Sequence, residues 1–420
     1  MELAADRASA HNSQASPLME VVLVHYSYPP VIGGVESILR QHAALFARHG
    51  HTVRVLAGSG ASDAGATVEV IPELAANHPL SVEMAAELAA GASGPAFAEL
   101  QRRLATTFTE RLHRADLVCV HNVFTMPFHL AATAALWAWT ESRPRARVVN
   151  WMHDLAAINP DYEFPKAGEF PWKLLRQPPT GAHHVAVSDK RRQEFVRATG
   201  ITECSVIPNG IDPREVLQLT APVLDLLRAA GWPQRWPVLF HPTRLLRRKN
   251  VELGIAVTRE LQSAGEAPLY VVTGPSDPHN AASRDYAAAL RALVRESGVA
   301  DAVIFAHEHF PVSDADVAAF YRAADALFYP SRQEGFGLPM LEASLHRLPM
   351  FCPRMEPLLE LGGAHWFEPE APAAEIAGFV RQVLLANAEN CVRRSALARF
   401  DWDVIYPRFL APLLDGAPTG

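Results

Sequence analysis

Cysteine is scarce in this chain: Cys119, Cys204, Cys352 and Cys391 are the only four in 420 residues, far apart and without a C-x-x-C pair. That spacing argues against a disulfide framework or a cysteine zinc site and suits a reducing compartment. Also missing is any uninterrupted apolar run approaching the ~20 residues that span a bilayer. Positive charge is not in excess either. The formal net charge of −7 speaks against broad electrostatic binding of nucleic acid, though not against a local basic site. There is no phosphate loop of the nucleotide-triphosphatase type and no G-x-S-x-G nucleophile elbow. Residues 1–17 are polar and alanine-rich without the apolar centre of a secretion signal, so a disordered tail is expected there.

What is present is the composition of an ordinary globular protein, 49% hydrophobic and 20% charged. The length fits two domains of roughly 150 to 200 residues. Short apolar runs alternate with longer amphipathic stretches, the pattern of a parallel sheet covered by helices. Strands are predicted at Glu20–His25, Thr52–Ala57, Leu117–His121, Arg147–Met152, His184–Val187 and Ser205–Ile207. After the turn signal Pro208-Asn209-Gly210-Ile211-Asp212, a second series follows at Val238–His241, Leu269–Thr273, Val303–Ala306, Ala326–Tyr329 and Met350–Cys352. Helical periodicity covers Glu36–His49, most of Val82–Arg114 with a Gly-rich break at 91–94, and about 250–262, 281–297, 313–324 and 338–347. Phe400–Leu414 has Trp402, Ile405, Phe409 and Leu413 at helical spacing. The expected fold is α/β: two doubly wound, Rossmann-like parallel-sheet domains facing across a cleft, with a C-terminal helix closing back on the first. The boundaries expected are 18–215 with 400–420 for the first domain and 216–399 for the second.

Residues 334–342 read Glu-Gly-Phe-Gly-Leu-Pro-Met-Leu-Glu. Gly335 and Gly337 let a backbone approach a ligand closely, and Pro339 suits a first helical turn. The free amides of such a helix start favour phosphate. Glu334 and Glu342 would then grip hydroxyls on either side of a diphosphate, as in a nucleotide-sugar site. Arg244 and Lys249 belong to a basic run just past a strand's carboxyl end, where open parallel sheets bind ligands. Fixed cations there would stabilise a departing diphosphate; a solvated loop is the plainer reading of a lone basic cluster. Gly33-Gly34 links the first strand to the first helix and serves either a phosphate or a tight turn equally well. His153 ends a strand and could donate to a sugar hydroxyl or simply cap a loop. His307-Glu308-His309 lacks a third metal ligand nearby, and a strand end meeting a nucleotide base suits it better. Gly58-Ser59-Gly60 lacks the third glycine and the helix of a dinucleotide fingerprint.

These segments resemble the family 4 retaining glycosyltransferases of B-type, two-Rossmann-domain fold. The resemblance runs from about residue 20 to 412. It is carried by Gly33-Gly34-Val35-Glu36, Ala186-Val187-Ser188, Pro208 to Asp212, Arg244 with Lys249, Tyr329-Pro330-Ser331, and Glu334 to Glu342. It implies that Glu334 contacts the donor sugar with the amides of Gly335, Phe336 and Gly337, that Leu338 belongs to the same turn, and that Glu342 accepts from the ribose. Arg244 and Lys249 would hold the diphosphate with Gly34, His153 would touch the sugar near its reacting carbon, and Ser188 and Asn209 would line the cleft. It also implies retention by front-face substitution, with no cofactor and no metal; no Asp-x-Asp stands beside the basic run. The donor would be GDP-mannose, slightly ahead of UDP-glucose, and the acceptor a hydroxyl of a small polar molecule or glycan.

The wording departs from the family in the aromatic and proline-rich loop 154–176 and in 121–130, where acceptors bind; plain loop packing explains these segments as well as acceptor choice does. Cys352-Pro353-Arg354 replaces a Gly-rich turn, while Glu360 keeps the frame. The alternatives are a nucleotide-sugar epimerase or phosphorylase-like enzyme on the same fold, or a catalytically silent nucleotide-sugar-binding subunit. A cytoplasmic location is expected. Arg102, Arg103, Arg111 and Arg114 offer only a modest patch for peripheral contact with the inner membrane face.

Overall fold

A computed structural model describes residues 18–275 and 281–415; the tail expected over residues 1–17 lies outside the described residues. The chain forms two compact units, one running to Gly210 and resuming at Trp402, the other spanning Ile211–Asp401.

The first unit is built on seven parallel strands: β1 Glu20–Val24, β2 Thr52–Ala57, β3 Thr67–Val70, β4 Leu117–His121, β5 Arg147–Met152, β6 Ala182–Ala186 and β7 Ser205–Val206. Their order is β3-β2-β1-β4-β5-β6-β7. The near-continuous apolar run of β1 follows from burial on both faces. Val21 and Leu23 pack on one side with Leu39, Ala43 and Phe46 of the helix Gly34–Arg48. Val22 and Val24 pack on the other with Leu104 and Phe108 of the helix Pro95–Leu112. Successive side chains thus feed opposite cores, as the pleat requires.

The second unit has six parallel strands: β8 Val238–His241, β9 Leu269–Val272, β10 Val303–Phe305, β11 Ala326–Phe328, β12 Met350–Pro353 and β13 His365–Phe367, ordered β10-β9-β8-β11-β12-β13. Leu239, Tyr270 and Phe328 enter one core, and Phe240, Val271 and Leu327 the other. In each unit strand order reverses at one place, between β1 and β4 and between β8 and β11. Crevices at such switch points, beyond the carboxyl ends of the strands, are where open sheets bind ligands.

Two expectations need correction. β3 and β13 are additional edge strands; β3 is largely solvated, with Glu69 held by Arg54 at 2.6 Å, so neither shows the long apolar run of a central strand. The closing segment is not one helix. Phe400 ends the helix Ala388–Phe400, Asp401 turns extended, and Trp402–Ile405, a π-helical turn Tyr406–Leu410 and Ala411–Asp415 follow. Pro407 lacks the N–H an α-helix would use, and a π turn absorbs the defect. Trp402, Ile405 and Leu413 nevertheless join the first unit's core, whereas Phe409 is only partly buried. Gly210 is required here, because a Cβ would sit 2.4 Å from the Trp402 ring.

The helical region 82–114 is two helices, Pro79–Ala89 and Pro95–Leu112, each with proline in its first turn. Its arginines are largely engaged by acids: Arg102 and Arg103 with Glu99 at 2.9 and 2.7 Å, Arg111 with Glu69 at 3.5 Å. Among the described residues no helix is long and apolar enough to cross a membrane.

Candidate active site

In the second unit two loops leave adjacent strands at the switch point. After β8 the chain is pinned by Gly274, whose N–H donates to the Thr243 carbonyl at 2.7 Å. A Cβ at 274 would fall 2.3 Å from that oxygen. A 3-10 turn, Arg247–Lys249, then brings the chain to the helix Val251–Ser263 through Asn250, held at φ 54°. After β11, Tyr329 and Ser331 are buried, and Gly337 at φ 108° opens the helix Leu338–Leu345. Glycine is needed at 337, since a Cβ would also meet Leu358 at 2.8 Å. At Gly335 a Cβ would meet nothing within 4 Å, so that side of the turn faces open space.

The two loops are laced together. Lys249 Nζ lies 2.5 Å from Glu334 Oε1 and 3.3 Å from Tyr329 Oη, and 5.2 Å above the Tyr329 ring. Arg248 reaches the second Glu334 oxygen at 3.5 Å and donates to the Gln333 carbonyl at 3.1 Å. The Glu334 side chain is only 6% exposed and that of Lys249 12%. Burial alone would raise the Glu334 carboxyl, but hydrogen bonding led by Lys249 outweighs it and holds the group below its ordinary value. Next to Lys249, His241 donates or accepts through Nδ1 with Tyr270 Oη at 2.6 Å. Burial, followed by the Lys249 charge, pushes it down to about 3, so it stays neutral.

Glu342 accepts from Tyr321 Oη at 2.7 Å. Phe336 and Leu338 are exposed, at 51% and 61%, and Arg244 is exposed on the β8 loop. His307 follows β10, partly buried; its partner in sequence, Glu308, is taken by Arg291 at 2.6 Å. Among the described residues no group of three or more His, Cys, Asp or Glu is placed to hold a metal ion. Two Asp-x-Asp triplets do occur, but Asp316 caps its helix with Ser313 and Asp401 pairs with Arg228 at 3.6 Å.

In the first unit, His153 lies just past β5 and stacks on His121, with 3.1 Å between His153 Nε2 and His121 Nδ1. Its backbone N–H donates to Asn122 Oδ1 at 2.8 Å. Burial, with His25 nearby, pushes His153 down to about 3. Gly33 is an extended N-cap against which the Glu36 carboxylate lies: a Cβ there would sit 2.0 Å from Glu36 Oε2. At Gly34 a Cβ would meet nothing within 4 Å. Ser188 caps the helix Asp189–Thr199, its Oγ accepting from the Arg191 N–H at 3.2 Å. Asn209 sits where the chain leaves the first unit, with Oδ1 buried and unpartnered.

The structure therefore brings Lys249 to Glu334, the first residue of the segment that continues through Gly335, Phe336, Gly337 and Leu338 to Glu342. Sequence patterns did not single out Arg248, Tyr329, Tyr321, Asn122 or Glu36 as site residues. Glu36 and Tyr329 stood in segments that carry the family resemblance, Arg248 in the basic run, and Asn122 directly after β4 at the switch point; Tyr321 carried no signal.

A profile described as Glycosyltransferase Family 4 matches residues 32–215, and one described as Glycosyl transferases group 1 matches residues 226–381. With its paired parallel-sheet units, the chain belongs to the family 4-like glycosyltransferases of B-type fold. It is 23% identical to mannosylglucosylglycerate synthase of Petrotoga mobilis, over 56% of this chain and 58% of that one. It is 30% identical to D-inositol 3-phosphate glycosyltransferase of Acidothermus cellulolyticus over 42% and 40% respectively. Over 52% of each chain it is 31% identical to D-inositol 3-phosphate glycosyltransferase 2 of Catenulispora acidiphila. These matches span about half the length of the curated relatives. Sucrose-phosphate synthase of Thermosynechococcus elongatus superposes with a TM-score of 0.38 at 16% identity, over 95% of this chain and 100% of that one.

Proposed function

We propose that the chain transfers a hexose from a nucleotide-diphosphate sugar to an acceptor hydroxyl, with retention of configuration, in the cytoplasm. The observation that carries this reading is the Lys249–Glu334 pair, 2.5 Å apart, set at a glycine turn leading into a helix. Lys249 and Arg244 hold the diphosphate and stabilise the charge that develops as the glycosidic bond breaks. Glu334 and the amides of Gly335, Phe336 and Gly337 take the sugar hydroxyls, with Leu338 closing the turn. Glu342, steadied by Tyr321, accepts from the ribose, and His307 meets the base. For the first unit by itself, the family resemblance gives His153 a donor role toward a sugar hydroxyl and gives Gly33, Gly34, Ser188 and Asn209 lining roles.

The mechanism proposed with it is front-face substitution, as the family resemblance implies, the departing phosphate taking the acceptor's proton; orientation and electrostatics supply the catalysis. Fixed cations doing this work make a metal unnecessary. GDP-mannose is slightly favoured over UDP-glucose, on the family resemblance alone. The test is nucleotide release from each donor with and without acceptors, in excess chelator, with NMR of the product's anomeric proton. Release independent of acceptor, or none from any nucleotide sugar, sinks the transferase reading. An inverted product sinks retention, and loss of activity on chelation sinks metal independence.

A further inference from the structure

A cavity of about 510 Å³ opens in the first unit beyond β1, β4 and β5, at the switch point of the sheet. Its walls carry two kinds of group. Glu36 and Asp154 supply carboxylates beside Ser27 and Asn122, while Tyr26, Phe128 and Tyr162 supply aromatic rings. No lysine or arginine is among its described lining residues.

The charge in this cavity is negative where it is least solvated. Glu36 is 14% exposed at its side chain, accepts from Ser27 Oγ at 2.6 Å, and lies 3.8 Å from His25 Nε2. Burial lowers His25, so that imidazole is neutral near pH 7 and adds no cation. Asp154 turns to Arg191 at 3.1 Å, a residue outside the lining. The start of the helix Gly34–Arg48 would ordinarily attract an anion. Here it is faced by the chain's own Glu36 carboxylate, packed against Gly33.

The rings form a row. Phe128 meets Tyr26 edge-on at 5.7 Å and Tyr162 at 6.1 Å, and stays 56% exposed. An open aromatic face suits the C–H face of a sugar, and carboxylates suit its hydroxyls. A phosphate would bring like charge against Glu36 with no cation on the wall to meet it.

Resting on the transferase reading above, we propose that this cavity is the acceptor site and that it takes an uncharged sugar or polyol while rejecting phosphorylated acceptors. Glu36 and Phe128 determine that choice. This sets the chain apart from relatives named for D-inositol 3-phosphate.

Saturation-transfer NMR on the full chain without donor tests it, using myo-inositol and methyl α-D-mannopyranoside against D-inositol 3-phosphate and mannose 6-phosphate. The neutral probes are expected to bind, and each phosphorylated counterpart to bind at least ~10-fold more weakly. Phe128→Ala removes an exposed ring and should abolish the neutral signal without unfolding the chain. Glu36→Gln should narrow the gap between neutral and phosphorylated probes. Equal or tighter binding of the phosphorylated probes, no binding of either neutral probe, or a neutral signal unchanged by Phe128→Ala overturns the proposal. Nucleotide release run in parallel separates the two readings. Donor cleavage with phosphorylated acceptors preferred keeps the transferase and overturns the neutral site. Neutral binding with no donor ever cleaved sinks the transferase, and the acceptor role with it.

Discussion

Lys249 Nζ stands 2.5 Å from Glu334 Oε1 across 85 residues of chain. Both side chains are mostly buried, so each is the other's chief compensation for lost solvent.

Lys249→Ala is expected to slow nucleotide release ~100-fold, roughly 3 kcal/mol, as when a charge-stabilising donor is removed. The same variant changes acid stability. In the native chain the Glu334 carboxyl is held below its ordinary value, so its stabilisation is present above the unfolded pKa and lost as pH falls through the folded one. Without Lys249 burial dominates and the folded pKa rises above the unfolded one, so the sign reverses: the carboxylate costs stability at neutral pH, and that cost is relieved as pH falls. Urea midpoints between about pH 3 and about pH 7 report this; turnover at the native rate would contradict the phosphate role.

Glu342→Gln should weaken donor binding more than it slows chemistry, because a ribose contact is remote from the breaking bond. Tyr321→Phe removes the hydroxyl that donates to Glu342 at 2.7 Å and should raise donor Kd a few-fold. Calorimetry and single-turnover rates check both; a large rate loss at native affinity would reverse the assignment.

The two glycines of the turn should behave differently. Gly337→Ala forces a side chain into φ 108° and against Leu358 at 2.8 Å, costing about 1–3 kcal/mol. Gly335→Ala meets nothing within 4 Å and should leave stability within about 0.5 kcal/mol. It should still lower donor affinity if the open space there receives the sugar. Thermal melts beside donor titrations distinguish these outcomes, and an unstable Gly335→Ala chain would be contrary evidence.

His42 is fully buried among Trp151, Trp402 and His121, with both ring nitrogens unpartnered. Burial, with His153 beside it, pushes it down to about 3, and His153 also lies near 3. A histidine depressed in the fold gives stability present above its unfolded pKa, lost as pH falls below ~6.5 at about 1.4 kcal/mol per unit and group. His42→Phe removes one such group and two orphaned nitrogens. It should hold or raise stability near pH 7 and flatten the acid slope. A lower melting temperature at neutral pH would tell against this.

The central strands were legible because a sheet covered on both faces demands unbroken apolar runs, as Val21–Val24 and Val238–His241 show. The edge strand Thr67–Val70, half solvated, carries no such demand and left no pattern. Phe400–Leu414 kept helical spacing while its backbone broke at Asp401, because periodicity records which side chains are buried, not which hydrogen bonds close. Around the site, the turn at Glu334–Leu338 was readable from glycine and proline alone, since their backbone limits are local.

Partnerships were not readable. That Arg248 reaches Glu334, that Tyr321 steadies Glu342, or that Asn122 Oδ1 holds the His153 amide depends on which strands lie side by side. What the order of residues determined by itself was the layering of each unit and the type of turn beyond particular strands, because burial periodicity and backbone freedom act over a few neighbours. The tertiary structure alone decided which charges meet and which are left facing the first unit's cavity. Coulomb energy and desolvation depend on distance through space, and sequence separation carries no such distance.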